Sequence, residues 1–319
     1  MLKSGANRSP AMTAIRPLLA SIHRWTALVF ALPLLAVIAT GLVLSFEPIV
    51  ATAARAPGSV TPAAVEAALQ RFDPQSQARM IAIVPQDGAL TIGGGGAARW
   101  IDLRSGEEIA GASALTTIFR TARRMHETLL LDLGWLVTAS TVAMLVLVVL
   151  GVAMGWTRLR NNLFGWHKAT GWFLLPLVFA SPLTGLFLAL GISLAAAPPP
   201  APRAAPLPMV EAVRLVAAGH DLANLGWIRR LGPNLVARIA VDGELKTFRV
   251  GRDGLEALPR AWSRVIHEGV YGGVWGGVIN VVTSIALVFL LVSGVVLWVQ
   301  GRLRIARHRA RRRTAAAPV

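Results

Sequence analysis

Trp166-His167-Lys168-Ala169-Thr170-Gly171-Trp172 leads into an apolar run that carries Pro176 and closes on Thr184-Gly185. The same grammar stands near the start of the chain: His23-Arg24-Trp25, then Pro33, then Thr40-Gly41. The spacing from histidine to Thr-Gly is identical in the two places, and a basic residue follows each histidine. A histidine placed twice at the mouth of an apolar segment of spanning length decides how the rest of the chain reads.

Composition agrees with a membrane setting. Of the 319 residues, 54% are hydrophobic and 15% are charged, too apolar for an ordinary soluble domain. Lys+Arg number 32 against 16 Asp+Glu. Such a basic excess fits nucleic-acid binding or the short cytoplasmic loops of a membrane protein, and the position of the charges decides between them. With no cysteine, the chain has no disulfide, no thiolate iron–sulfur or zinc site, and no covalent CxxCH haem attachment. Any redox group is held non-covalently by other side chains.

Four apolar stretches reach the ~20 residues that a spanning helix requires. They fall at about residues 25–46, 129–156, 171–194 and 270–299, with Asp132 at the start of the second. Ala51-Thr52-Ala53 only weakly imitates a cleavage site, so the first stretch is read as a retained helix rather than a leader. Lys3, Arg8, Arg16 and Arg24 precede it, within residues 1–24. Arg158, Arg160 and Lys168 occupy the 157–170 connection. Arg302, Arg304, Arg307, Arg309, Arg311, Arg312 and Arg313 crowd the 300–319 tail. In a four-span topology these three regions share one side. The positive-inside rule makes it cytoplasmic, with both termini there. The tail follows a span directly, so it reads as a topology anchor and not as a nucleic-acid patch.

The larger connections, 48–125 and 195–266, then lie outside the cytoplasm. Both open with prolines: Pro57 and Pro62 in one, Pro198, Pro199, Pro200 and Pro202 in the other. Apolar spacing predicts helices over 60–69 and 208–216, and strands over 80–84, 89–92, 99–103, 235–241 and 246–250. Charged turns follow at 104–107 and 251–254. Two small α+β units are expected.

The chain is internally duplicated. His23 and His167 lie nearly half a chain apart, and so do Met125-His126-Glu127 and Ile266-His267-Glu268. The second span ends at Trp156 and Arg158-Leu159-Arg160, the fourth at Trp298 and Arg302-Leu303-Arg304. Each half reads histidine-basic, span, outer α+β unit, His-Glu, span, Trp, Arg-x-Arg. These are parallel repeats related by an axis along the membrane normal. The fold expected is an all-α four-helix transmembrane bundle of two parallel repeats, with two small α+β units outside it.

Four of the six histidines start spans. His23 and His167 belong to the cytoplasmic face, His126 and His267 to the outer face; His220 lies in the second outer unit and His308 in the tail. Two readings stand: polar residues at a water boundary, or paired imidazoles for haem iron. Gly272, Gly273, Gly276 and Gly277 after His267 suit either close helix packing or a flat ligand. Arg24 and Lys168 are candidates for haem propionates or for positive-inside anchoring. Glu127 and Glu268 are candidates to accept a ligand histidine's other N–H, or are helix-start acids favoured by the dipole. Arg123 and Arg124 face either an anionic substrate or lipid phosphate. No charge lies at the centre of any span, which argues against a transporter.

These residues resemble the PepSY-associated transmembrane family of bacteria. The resemblance is carried by His23-Arg24-Trp25 with Thr40-Gly41-Leu42, Trp166-His167-Lys168 with Thr184-Gly185-Leu186, the two His-Glu pairs and the outer units, which resemble PepSY domains. Members include haem-containing reductases of the inner membrane that release iron from ferric siderophores in the periplasm; others are iron-regulated membrane proteins. The resemblance implies an inner-membrane ferric reductase with haem b, and the two histidine pairs of the four-span reading place one haem near each face. It carries over His23, His126, His167 and His267 as axial ligands. The implied partners are a ferric chelate or siderophore, membrane lipid, and an electron donor that is either cytoplasmic or a membrane quinol. The alternative is a non-enzymatic PepSY membrane protein that binds or regulates periplasmic partners such as peptidases.

Overall fold

A computed structural model describes residues 10–94, 97–155, 160–197, 199 and 207–315. Lys3, Arg8, Trp156, Arg158, Leu159, Pro198, Pro200 and Pro202, named above, fall outside the described residues, as does the Arg313 side chain. The chain opens with α1 (Pro10–Val29), α2 (Ala31–Ser45), α3 (Glu47–Ala54) and α4 (Pro62–Phe72). Strands β1 (Met80–Val84), β2 (Ala89–Gly93), β3 (Arg99–Asp102) and β4 (Glu108–Ile109) follow. Next come α5 (Ala114–Thr128), α6 (Gly134–Ala153), α7 (Leu163–Phe173) and α8 (Leu175–Ala189). The second half continues with α9 (Met209–Gly219), β5 (Leu225–Leu231), β6 (Asn234–Val241), β7 (Glu244–Gly251), β8 (Gly254–Ala257), α10 (Trp262–Glu268) and α11 (Val274–Ala315). Two bodies result. A helical body falls within Met1–Leu42, Arg124–Leu190 and Val282–Val319, and a sheet body within Val43–Arg123 and Gly191–Val281.

In the helical body, Leu34 and Ile38 of α2, Met144 of α6, Val178 of α8, and Ala286 and Leu287 of α11 meet in one buried cluster. Their outer faces remain apolar: Leu32, Val149, Phe179 and Ile285 are exposed, as lipid-facing residues are. Polar residues on these helices return their hydroxyls to their own backbone, as Ser140 does to the Leu136 carbonyl at 2.7 Å and Thr141 to Val137 at 2.9 Å. Among the described residues three helices are long and apolar enough to cross a membrane, Ala31–Ala54, Gly134–Ala153 and Val274–Arg309. α7 and α8 make a fourth if the pair is one span.

That pair is bent by 67°. Pro176 has no N–H to give the carbonyl four residues back, and its ring crowds that carbonyl, so the helix stops at Phe173 and restarts at Leu175. The Leu174 N–H turns back to Thr170 and Trp172. Pro33 coincides with the same event in the first half: α1 ends at Val29 and α2 begins at Ala31. The helix within each of the stretches 25–46 and 171–194 thus stops and restarts. Both His23 and His167 sit on a helix that ends before the proline, ahead of the apolar helix that follows.

The sheet body corrects the expectation of two separate outer units. Its strands form one eight-stranded antiparallel sheet in the order β4-β3-β2-β1-β5-β6-β7-β8. The seam is β1 against β5, with Met80 opposite Arg229, Ile81 opposite Ile228 and Ala82 opposite Trp227. Each segment alone would end in an unpaired edge, and pairing the two edges satisfies both backbones. Ile81 lies as far beyond the start of α4 as Ile228 does beyond the start of α9, so equivalent residues of the two segments face each other across the seam. β5 itself was not expected, because Gly226, Arg229 and Arg230 interrupt its apolar alternation.

α4 and α9 cover one face of this sheet. Val65 and Leu69 of α4, and Met209, Val213 and Val216 of α9, are buried with Ile81, Leu90, Ile101, Ile228, Leu235 and Ile239. Burial of each such side chain is worth about 1.5–3 kcal/mol. Thr61 caps α4 by accepting from the Ala64 N–H, and Arg214 ties α9 to Glu66 on α4.

The glycines after His267 build backbone contacts. Gly272 and Gly273 have φ near +63° and form the turn into α11, and the Gly273 N–H donates to the Gly243 carbonyl at 2.7 Å. A Cβ on Gly276 would lie 2.2 Å from the Gly269 oxygen and 2.6 Å from the Tyr271 oxygen, and one on Gly277 would lie 2.7 Å from Ile49. Gly276→Ala is therefore expected to cost about 1–3 kcal/mol by overpacking. Gly301→Ala meets nothing within 4 Å and should be neutral or slightly stabilising, a comparison read by thermal unfolding in detergent.

Candidate functional site

The helical body brings His23 and His167 together. Their ring centroids are 6.5 Å apart, with planes at 89°. Each ring is fixed through Nδ1. His23 Nδ1 lies 3.1 Å from the Leu147 carbonyl oxygen on α6, and a carbonyl only accepts, so this nitrogen carries the hydrogen. His167 Nδ1 lies 2.8 Å from Ser293 Oγ on α11. The Ser293 hydroxyl donates to the Leu290 carbonyl at 3.3 Å, so its lone pair receives the His167 N–H. In both rings Nε2 is left as the lone-pair nitrogen, the form in which imidazole binds a metal.

The separation can be compared with that of two ligands of one metal ion. With metal–nitrogen bonds of about 2 Å and about 1 Å from nitrogen to ring centre, two imidazoles that would hold one ion have centroids up to about 6 Å apart. Among the described residues no group of three or more His, Cys, Asp or Glu could hold a metal ion, and a bis-histidine haem needs only two ligands. Small neighbours help: a Cβ on Gly294 would lie 3.6 Å from His167 Cε1.

His126 has the same anchoring. Its Nδ1 lies 2.9 Å from the Val37 carbonyl and 3.4 Å from Thr40 Oγ1, and the Thr40 hydroxyl itself donates to Ala36. A Cβ on Gly41 would come within 3.2 Å of His126 Cε1. The first Thr-Gly pair is thus the seat of His126. Thr184 bonds its own backbone as Thr40 does, at Ala180 and Ser181. His267 lies in the sheet body on α10, where its carbonyl accepts from Asn280 at 2.8 Å. His126 and His267 belong to different bodies, and each is placed only within its own. His220 rests 5.5 Å from the Phe248 ring within the sheet body.

The charged neighbours divide. Arg24 and Glu127 are exposed, and Lys168 sets its Nζ 5.6 Å over the Phe164 ring. Glu268 is engaged by two guanidiniums. Its carboxylate is held by Arg238 at 2.8 Å and Arg264 at 2.7 Å. Burial pushes that carboxyl up, and the guanidiniums of Arg238 and Arg264 outweigh it, leaving the group below its ordinary value. Arg123 pairs with Glu47 rather than standing free for an anion. Arg16 donates to the Met154 carbonyl at the end of α6, a cation where the helix dipole favours one. Leu147, Ser293 and Gly294 are the contributors that sequence reasoning missed. A backbone acceptor has no residue signature, and only the Ser-Gly pair inside an apolar run hinted at the others.

Helices of spanning length carrying buried polar seats, joined in one chain to an antiparallel sheet body, define a membrane protein. The family model described as the PepSY-associated TM region matches residues 20–300, and the chain belongs to that family. No curated protein matches it.

Proposed function

We propose that the chain is a haem b oxidoreductase of the bacterial inner membrane that passes electrons across the bilayer to ferric chelates, ferric siderophores among them, in the periplasm. The observation that carries this reading is the His23–His167 pair, 6.5 Å between centroids, each ring oriented through Nδ1 with Nε2 left for a metal. Bound haem supplies a one-electron couple. His23 and His167 would hold its iron. Leu147 and Ser293 fix the ring orientations, and Arg24 and Lys168 lie next in sequence to meet propionates. His126, anchored in the same manner, and His267 are the ligands proposed for a second haem near the outer face. The remaining parts of the reading are four spans in two parallel repeats, termini in the cytoplasm, and a cytoplasmic or quinol donor.

The test is the absorption spectrum of the protein purified from cells with ample haem. A Soret band, with b-type haem on pyridine extraction, is expected. A colourless preparation sinks the redox reading and leaves a PepSY membrane protein that binds or regulates a periplasmic partner.

A further inference from the structure

Among the described residues six non-glycines have positive φ, and three of them fall in one short stretch: Leu129 at 53°, Leu130 at 61° and Asp132 at 54°. They lie in the break between α5, which carries His126, and α6. The other half has the same break between α10, which carries His267, and α11. There the left-handed residues are all glycines: Gly269, Gly272 and Gly273, at 65°, 63° and 63°. A Cβ on Gly272 or Gly273 would meet nothing within 4 Å, so glycine at these two positions answers the backbone and not a neighbour. In the first half Asp132 tolerates the conformation, whereas in a leucine it presses Cβ toward the carbonyl oxygen that follows.

Burial compensates the leucines little: Leu130 is 38% exposed and Leu129 is only partly buried. Such strain persists where fixed contacts impose it. The Thr128 carbonyl accepts from the Leu131 N–H at 3.2 Å and the Leu133 N–H at 2.9 Å, and the Leu129 N–H donates to Met125 at 3.0 Å. One turn earlier, His126 is seated on α2 against the Val37 carbonyl at 2.9 Å, with Gly41 beside its Cε1. Relaxing Leu129 and Leu130 to negative φ redirects the chain at the end of α5 and draws that ring off its seat. Strain and seat therefore oppose each other.

We propose that Leu129 and Leu130 are positioning residues for His126, whose strained backbone keeps a minor population of the ring released from α2. Relative to glycine, each leucine disfavours the seated state by about 5–30-fold. A ring that leaves its seat can take or give up a ligand at its nitrogens; that the ligand is haem iron rests on the reading above, and the seat does not.

The experiment compares the full chain in lipid nanodiscs, wild type against the double variant Leu129→Gly with Leu130→Gly. The first readout is hydrogen exchange of the Leu131 and Leu133 amides. The second is modification of His126 by diethyl pyrocarbonate, located by mass spectrometry with His220 as reference; in a haem-loaded preparation it is release of the outer haem to apomyoglobin. Both rates are expected to fall by about fivefold or more in the glycine variant. Leu130→Asn, which tolerates the left-handed region, should follow glycine, and Leu130→Val should move both rates the other way. Should the valine variant fail to fold, glycine and asparagine decide. Unchanged rates, or the faster rates of a merely loosened loop, overturn the proposal. So does slower exchange with His126 unaffected, because the strain is then not coupled to the ring. A colourless preparation with the expected rates sinks the haem reading alone, and a haem-loaded one with unchanged rates sinks the positioning role alone.

Discussion

Alanine at His23 or at His167 is expected to remove about half of the Soret absorbance of a preparation loaded with two haems, and to leave the other half unchanged. On the proposed function the two rings, 6.5 Å apart, would hold one iron, so deleting either would leave it a single protein ligand and the two variants should match. Alanine at His126 or His267 should remove the complementary half. Equal, unselective loss at all four positions rejects the pairing. A finer readout separates ligation from packing. Ser293→Ala removes the acceptor that orients His167 and should weaken retention of that haem by about 10–100-fold, measured as transfer to apomyoglobin. Ser293→Thr keeps the hydroxyl and should retain it.

The features visible in the sequence are those set by local pattern. Apolar runs of spanning length survive as helices, and of the repeated residues His23 meets His167 while Thr40-Gly41 meets His126. Pro33 and Pro176 were visible as residues, yet the 67° bend depends on how the freed carbonyl is resolved, which spacing does not encode. The seam between β1 and β5 is a pairing across half the chain. Each segment reads as a complete small unit on its own, and only the cost of two bare edges in water argues for their union. The roles of Glu268 and Arg123 were hidden for a related reason. Glu268 was read beside the histidine next to it and Arg123 as facing an anion or lipid phosphate, while their partners come from β6, α10 and α3.

Glu268→Ala should destabilise the sheet body by about 3 kcal/mol, the low end for breaking a buried ion pair. Arg238 and Glu268 are only 15% and 19% exposed at their side chains, so removing the carboxylate strands a guanidinium with little water to replace its partner. Some solvent does reach the pair, which keeps the loss from the upper end. Glu268→Gln preserves a hydrogen-bond acceptor and should cost less, and Arg264→Ala less again, since Arg264 is 53% exposed. The pH dependence has a definite sign. Arg238 and Arg264 hold the folded-state pKa of Glu268 below the ordinary 4.5. Its contribution is therefore complete above the unfolded value and lost as pH falls through the folded one, because the unfolded chain then binds the proton more readily. Chemical unfolding of the wild type, followed by tryptophan fluorescence between pH 7 and pH 3, should show stability falling in the acid range. The Glu268→Ala variant should start lower and fall less. A variant whose curve runs parallel to the wild type throughout would mean that the ion pair contributes nothing and that Glu268 is free to act elsewhere.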